Sequence, residues 1–174
     1  MDRSQLQHVI FEVGRRFDLC DFHIIGSAAI LAVLPNPPEG ALTATRDVDV
    51  IPPRDDERLG DRISFVLGEA SEFDREHGYY AQGVTSKTPT YAPAGWMNRA
   101  VPVRVESYTG WCMEVHDLVL SKLGAGREKD VDFARSAAAL GLLRREELLL
   151  RLEHVACSED HRRQIEARVN ALFV

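Results

Sequence analysis

The stretch "ALTATRDVDVIPP", from Ala41 to Pro53, places Asp47 and Asp49 within a short run of valines that ends at two prolines. Residues two apart on a β-strand point to the same face, so both carboxylates project together and the valines project to the other side. A carboxylate in an apolar setting is costly unless something pairs it. The stretch therefore predicts either a cation held between the aspartates or a solvent-facing strand edge.

Length and composition describe an ordinary folded chain. The 174 residues suit one domain with a small helical addition, and 45% of them are hydrophobic. The net charge of −6 argues against an extended basic surface for nucleic acid, but it leaves room for a local basic pocket that binds phosphates. Three widely spaced cysteines without a CxxC pair indicate reduced thiols in a cytoplasmic protein. No signal peptide or membrane-spanning run is predicted, so we expect no membrane partner.

Hydrophobic spacing predicts helices and strands in alternation. An N-terminal helix carries Leu6 to Phe17, and the first strand, residues 22–25, leads through a Gly-Ser turn into a helix over 28–34. The Asp-x-Asp stretch is the second strand, and a helix over 59–70 follows. Residues 77–100 are rich in Gly, Pro and Thr and predict a loop with one irregular strand, after which "VPVRVES", residues 101–107, alternates as a third strand.

The rest of the chain is predicted to be helical. Its four helices are expected at residues 116–124, 128–140, 144–154 and 159–172. The order of elements predicts an α/β (α+β) fold, with a small mixed sheet flanked by helices. We expect an α/β core over residues 1–115 and a C-terminal helical part over residues 116–174 that packs on this core.

The turn "IIGSAAI", residues 24–30, is the second candidate element of a site. It joins a strand to a helix, where backbone N–H groups form an anion site and glycine allows a phosphate to approach closely. Ser27 adds a hydroxyl donor. Read alone, a Gly-Ser pair before a helix is equally explained as a helix cap.

Two further groups complete the set of candidates. Glu106, near the end of the third strand, is either a third acid beside a pair of metal ions or an exposed strand-end charge. Lys122, in an apolar helix, either extends to solvent or reaches a phosphate. The charges that follow it are either a solvated surface or part of the same site; they include Arg127, Lys129 and Asp130.

These residues together resemble the DNA polymerase beta-like nucleotidyltransferase superfamily. Its pattern is a Gly-Ser or Gly-Gly turn, a helix, an Asp-x-Asp strand and a third acid on a later strand. The tail "HDLVLSKLGAGREKDVDFARSAAALGLL", residues 116–143, is similar to small bacterial nucleotidyltransferase-like proteins related to AbiEii-type toxins. The turn "GSAAIL" departs from the minimal antitoxin-type enzymes, because it lacks their two arginines, and Glu106 stands where the family commonly has Asp.

The resemblance implies a mechanism and a set of ligands. Asp47, Asp49 and Glu106 would bind Mg²⁺ or Mn²⁺. Gly26 and Ser27 would cradle the phosphates of a nucleoside triphosphate (NTP). Lys122, Arg127, Lys129 and Asp130 would form the rest of the nucleotide site, with Lys122 also assigned to catalysis. The implied reaction moves a nucleoside monophosphate (NMP) group to a hydroxyl on RNA, such as tRNA, or on a protein.

The resemblance also implies possible partners and leaves alternatives open. The chain would be a toxin with an antitoxin partner, or a nucleotidyltransferase outside such a pair. A second hypothesis is a catalytically degenerate nucleotidyltransferase fold that binds a nucleotide or a protein partner. A third is an unrelated α/β domain with a structural role, which would fit aspartates at a sheet edge far from Gly26.

Overall fold

Five short strands form one mixed sheet in the computed structural model, which describes residues 1–174. The strands are β1 (Asp21–Ile25), β2 (Asp47–Ile51), β3 (Tyr80–Gly83), β4 (Val101–Val105) and β5 (Tyr108–Cys112). Their order across the sheet is β3-β2-β1-β5-β4. The central strand β1 is antiparallel to β2 and parallel to β5, while β3 is parallel to β2 and β4 forms an antiparallel hairpin with β5.

Seven α-helices surround this sheet. They are α1 (Arg3–Phe17), α2 (Glu57–Leu67), α3 (Glu72–His77), α4 (Val115–Ala125), α5 (Glu128–Ala139), α6 (Arg145–Leu152) and α7 (Glu159–Asn170). Three 3-10 segments lie at Ser27–Ala32, Pro53–Asp55 and Trp96–Arg99. The predicted α/β class, with a mixed sheet and a helical C-terminal part, is confirmed. No helix has the length and apolar character needed to cross a membrane.

The structure differs from the predicted elements in several places, one of which is the short helix α3, which the sequence pattern did not predict. The helix predicted over residues 28–34, after the Gly-Ser turn, is a 3-10 helix over Ser27–Ala32. The stretch "YTGWC" is strand β5, which the sequence pattern did not reveal. A Cβ at Gly110, in the middle of this strand, would lie less than 3 Å from side-chain atoms of Ile24 and Ile10. The strand is thus defined by its packing against β1 and α1, and not by a local alternation of residues.

One hydrophobic cluster of 37 buried residues includes members of the sheet and of the C-terminal helices. Val48 and Val50 on β2 are fully buried in it, so the opposite face of β2 carries the aspartates. Helix α4 packs against α5, α6 and α7 and also against the 3-10 helix that follows β1. This last contact brings the C-terminal helical part to the Gly-Ser turn.

A buried ion network secures the start of α4 and gives a first testable prediction. Asp117 is 0% exposed and accepts hydrogen bonds from Arg99 Nε at 2.9 Å and Arg99 Nη2 at 3.0 Å. Arg151 Nη1 lies 3.1 Å from the same carboxylate. Asp117→Ala is expected to lower the free energy of unfolding by about 2–3 kcal/mol, because it leaves guanidinium groups with fewer partners.

Urea denaturation measures this loss. Arg151 keeps Glu114 and Glu147 as partners, and Arg99 is 33% exposed, which limits the cost. The matched control is Asp132→Ala, which removes an exposed carboxylate paired with Arg135 on the surface. The control should lose less than about 1 kcal/mol. Equal stability losses in both variants would contradict the assigned role of Asp117.

Candidate active site

The Gly-Ser turn faces the second aspartate because of the sheet register. Strand β1 ends at Ile25, whose antiparallel partner on β2 is Asp49. Gly26, the next residue, has φ 72° and ψ −174°, a backbone conformation that is essentially restricted to glycine. A Cβ at Gly26 would lie well inside van der Waals contact of Asp49 Oδ2. The glycine is therefore required both for the turn and for the close approach of the carboxylate.

The two aspartates project from β2 into a polar cleft, and the protein itself leaves their charge largely unpaired. Asp47 accepts a hydrogen bond from Thr45 Oγ1. Burial of Asp49, together with the neighbouring charge of Asp47, raises the pKa of Asp49 to about 6, although Lys122 and Lys129 act in the opposite direction. A carboxylate pair whose ionisation is opposed in this way is stabilised by an added cation.

Lys122 joins the turn to a buried acid. Its Nζ donates to Ser27 Oγ at 2.8 Å and to Asp130 Oδ1 at 3.2 Å, and it lies 4.5 Å from the centre of the Phe133 ring. Arg127 Nε donates to the other oxygen of Asp130 at 2.6 Å. Asp130 is fully buried, while Arg127 remains 63% exposed at the mouth of the cleft.

The pKa shifts of this group follow from burial and pairing. Burial lowers the pKa of Lys122, and the charge of Asp130 and the hydrogen bond to it partly oppose this effect. Burial also acts to raise the pKa of Asp130, but the hydrogen bonds and charges of Arg127 and Lys122 hold that pKa below its ordinary value. Asp130 is thus ionised, and it holds Lys122 and Arg127 beside the Gly-Ser turn.

The cleft has two connected lobes. The first, which we call the acidic lobe, has a volume of about 380 Å³ and contains both aspartates and the Gly-Ser turn. Lys122, Arg127 and Lys129 also line it. The second, which we call the apolar lobe, has a volume of about 160 Å³. The two lobes share Gly26, Asp49, Thr88, Lys122 and Arg127, so they adjoin each other.

Glu106 does not lie in this cleft. It occupies the turn of the β4–β5 hairpin, between the paired residues Val105 and Tyr108, with φ 51° and an exposed side chain. The other end of β5 is the one near the aspartates, because Cys112 pairs with Ile24 on β1. The prediction of Glu106 as a third metal ligand is therefore corrected. Strand β4, which Glu106 follows, ends at the end of the sheet away from the aspartates, so we exclude this residue from the site.

The strand adjacent to β2 does not supply a third acid either. Gln82 on β3 is the register partner of Asp49, and its Nε2 donates to Ser64 Oγ at 2.8 Å. No group of three or more His, Cys, Asp or Glu side chains is placed to hold a metal ion. Two carboxylates on one strand face nevertheless fit Mg²⁺, which proteins commonly bind through one or two carboxylates, with water and substrate phosphates as the remaining ligands.

Sequence reasoning missed several residues of the cleft. Thr45 precedes Asp47 by two positions, and this strand spacing was an available signal for a side chain on the same face. Thr88 and Tyr91 lie in the loop between β3 and the following 3-10 helix, where no periodicity indicates which side chains face inward. Phe133 has helical spacing typical of a core residue, and the structure shows that its ring also lines the acidic lobe.

The fold and the site together define the class of protein. A mixed sheet in which a Gly-Ser turn lies beside an Asp-x-Asp strand, with both lining one polar cleft, is the arrangement that the resemblance to nucleotidyltransferases predicts. The chain matches, over residues 4–171, the model of a family described as nucleotidyltransferase of unknown function (DUF6036), and it belongs to that family. It matches no curated protein and no solved structure. The nucleotidyltransferase resemblance is thereby confirmed, whereas the likeness to AbiEii-type toxins stays a prediction.

Proposed function

We propose that the chain is a metal-dependent nucleotidyltransferase that moves an NMP group from an NTP to an acceptor hydroxyl. The observation that carries the proposal is the meeting of two carboxylates, a glycine-dependent turn and three cationic side chains in one cleft. The carboxylates suit a divalent cation, and the turn and the cations suit a polyphosphate. A ligand that combines both is the metal complex of an NTP.

Each residue has a distinct role in this proposal. Asp47 and Asp49 hold Mg²⁺ or Mn²⁺, which, when bound, supplies positive charge to the phosphate oxygens at the reacting centre. Ser27 Oγ and Lys122 Nζ, already 2.8 Å apart, bind the β- and γ-phosphates. Arg127 and Lys129, at the mouth of the cleft, add positive charge, and Asp130 positions Lys122 and Arg127.

The reaction is a substitution at the α-phosphorus. The acceptor oxygen forms a bond to that phosphorus while the bond to the bridging oxygen of pyrophosphate breaks, and the proton of the hydroxyl passes to solvent. The side chains of the cleft contribute mainly by positioning and by electrostatic stabilisation of the phosphate charge.

The acceptor and the biological role are also part of the proposal. The similarity of residues 116–143 to AbiEii-type proteins supports a toxin that modifies RNA, such as tRNA, or a protein, and that is neutralised by an antitoxin. Because the chain has a net charge of −6 and Arg127 and Lys129 are the only exposed cations that line the cleft, we expect contact with only a short part of an RNA acceptor.

An incorporation assay tests the reaction. The wild type is incubated with Mg²⁺ and each NTP, labelled at the α-phosphate, together with tRNA, total RNA or cell protein. We expect label in one class of acceptor and an equal amount of pyrophosphate. Turnover would be contradicted if a folded protein that binds the metal–nucleotide complex released no pyrophosphate and labelled no acceptor with any NTP.

A second candidate function is nucleotide binding without transfer. It is favoured by the absence of a third carboxylate beside Asp47 and Asp49, since Glu106 lies at the far hairpin and Gln82 carries an amide. Such a protein would bind Mg²⁺ and an NTP but release no pyrophosphate. The incorporation assay therefore separates the two functions.

Gly26→Ala provides a test of the turn itself. The added methyl group would displace the Asp49 carboxylate and strain the backbone, so we expect the affinity for the metal–NTP complex to fall at least about tenfold. The matched control is Gly78→Ala, because Gly78 has φ 76° but no atom within 4 Å of an added Cβ. Calorimetry should show unchanged nucleotide binding by the control, in which alanine in the left-handed turn at residue 78 costs only about 1 kcal/mol in stability. Unchanged nucleotide binding by Gly26→Ala would contradict the arrangement.

A further inference from the structure

The apolar lobe of the cleft extends away from the aspartates and differs from the acidic lobe in chemistry. Apolar side chains supply much of its wall, among them Ile25, Pro89, Met113 and Leu118. The polar side chains that belong to this lobe alone are the hydroxyls of Thr90 and Ser121 and the phenol of Tyr91. Five of its thirteen lining residues are hydrophobic, so the lobe offers a mixed wall that suits a flat ligand group with apolar faces and polar edges.

The apolar lobe adjoins the charged side chains of the acidic lobe, and this position indicates which kind of ligand it binds. Lys122, Asp49 and Gly26 line both lobes, so the apolar lobe opens directly onto the proposed polyphosphate site. A ligand that fills both has an anionic, metal-binding end and an aromatic or apolar end. We propose that the apolar lobe binds the base and ribose of the NTP, an inference that rests on the proposed function.

One wall of the lobe is held by the C-terminal helices. The ring of Tyr91 packs against the ring of His161 on α7, with 4.7 Å between ring centres and a tilt of 33°. His161 Nε2 lies 3.0 Å from the carbonyl oxygen of Gly124, and Gly124 leaves room for Tyr91 where a Cβ would clash with it. Ala94 N donates to the carbonyl oxygen of His154 at 2.9 Å. His161 is thus a positioning residue for the base-binding wall.

The lining also indicates how selective the lobe is. The hydroxyls of Thr90, Ser121 and Tyr91 both donate and accept hydrogen bonds, so they can pair with any base edge, and an apolar surface discriminates only weakly between ligands of similar shape. We therefore expect the affinities of the four NTPs to differ by less than about a hundredfold. Selection among nucleotides follows the fit of the ring to the lobe.

Filling the lobe tests the inference. Ala125 lines the lobe at the exposed end of α4, so Ala125→Phe occupies the space without entering the core. We expect a loss of at least about tenfold in Mg²⁺-dependent NTP affinity, with the affinity for inorganic tripolyphosphate unchanged within about twofold. The matched control is Ala139→Phe, at the exposed end of α5, which should leave both affinities unchanged.

A second variant tests the wall without adding bulk. His161→Ala removes the ring behind Tyr91 and should weaken NTP binding about threefold to tenfold while tripolyphosphate binding stays constant. His161→Phe, which keeps a ring against Tyr91, should restore most of the NTP affinity. Equal effects on NTP and tripolyphosphate would overturn the role of the wall.

The two ligands also separate this inference from the proposed function. A wild type that binds tripolyphosphate with Mg²⁺, but binds NTPs no more tightly, would overturn the base-binding lobe and leave the polyphosphate site standing. NTP binding that Ala125→Phe does not weaken would overturn it as well. A wild type that binds neither ligand contradicts the proposed function itself.

Discussion

Asp49→Asn is expected to raise the melting temperature of the metal-free protein at pH 7.5 and to lower the rate of nucleotidyl transfer by about a thousandfold or more. The two effects have one cause. Asp49 is held in a half-buried position beside Asp47, where its ionised form is disfavoured unless a cation is bound. The asparagine keeps the shape of the side chain but removes the charge, so it relieves the folded state and abolishes metal binding.

The pH dependence of stability gives the sign of this effect. The pKa of Asp49 is 3.8 in the reference state and about 6 in the folded state. Between about pH 4 and pH 6 the unfolded chain holds fewer protons at this position than the folded chain, so stability falls as pH rises. The difference in pKa corresponds to roughly 3 kcal/mol at most above that window, which is several degrees in melting temperature for a chain of this size.

Thermal unfolding in the presence of a chelator, from pH 4 to pH 8, measures the difference between wild type and Asp49→Asn. Asp132→Asn serves as the control, since its carboxylate is 52% exposed and pairs only with Arg135 on the surface. A difference in melting temperature between wild type and Asp49→Asn that does not change with pH would show that ionisation of Asp49 does not destabilise the fold. Adding Mg²⁺ should stabilise the wild type and leave Asp49→Asn unchanged.

Lys122→Met is expected to lower the rate of transfer about 100- to 1,000-fold, the second largest effect. Methionine keeps most of the length of the side chain, but it removes the cation that lies 2.8 Å from Ser27 Oγ and 4.5 Å from the centre of the Phe133 ring. Asp130 retains its hydrogen bond from Arg127 at 2.6 Å, so the fold keeps an ionised, paired acid. The loss therefore reports on phosphate binding and not on unfolding.

Steady-state kinetics and circular dichroism together measure this effect. Lys122→Arg should restore little activity, because a branched guanidinium does not fit the point contact between Ser27 and Asp130. Arg135→Met is the control, since it removes a surface cation that is 67% exposed. Full activity in Lys122→Met would contradict the assignment of this lysine to the triphosphate.

Local pattern was sufficient to predict the part of the site that lies on β1 and β2. The Asp-x-Asp spacing places both carboxylates on one face in any strand, and the Gly-Ser turn directly follows the neighbouring strand. The antiparallel pairing of Ile25 with Asp49 then joins them. Lys122 was also identifiable, because a lysine in a buried helical stretch needs a partner.

Register and loops explain what the sequence did not reveal. Glu106 does directly follow a strand, as predicted. Which end of that strand faces the site depends on its direction and pairing, and these depend on the unrecognised strand β5. Four of the residues that line the apolar lobe, Thr88 to Tyr91, lie in a loop without periodicity that packs against α7. The pairing of Lys122 with Asp130 depends on the break at Gly126, whose φ of 66° ends α4 and redirects the chain into α5.

The most direct test of the proposed nucleotide site is calorimetric titration of the wild type and of Asp47→Asn/Asp49→Asn with each NTP, with and without Mg²⁺. We expect the wild type to bind an NTP only when Mg²⁺ is present, and the double variant, folded by circular dichroism, not to bind. A folded wild type that binds no NTP in the presence of Mg²⁺, or a double variant that binds as tightly as the wild type, would contradict a nucleotide site built on these two aspartates.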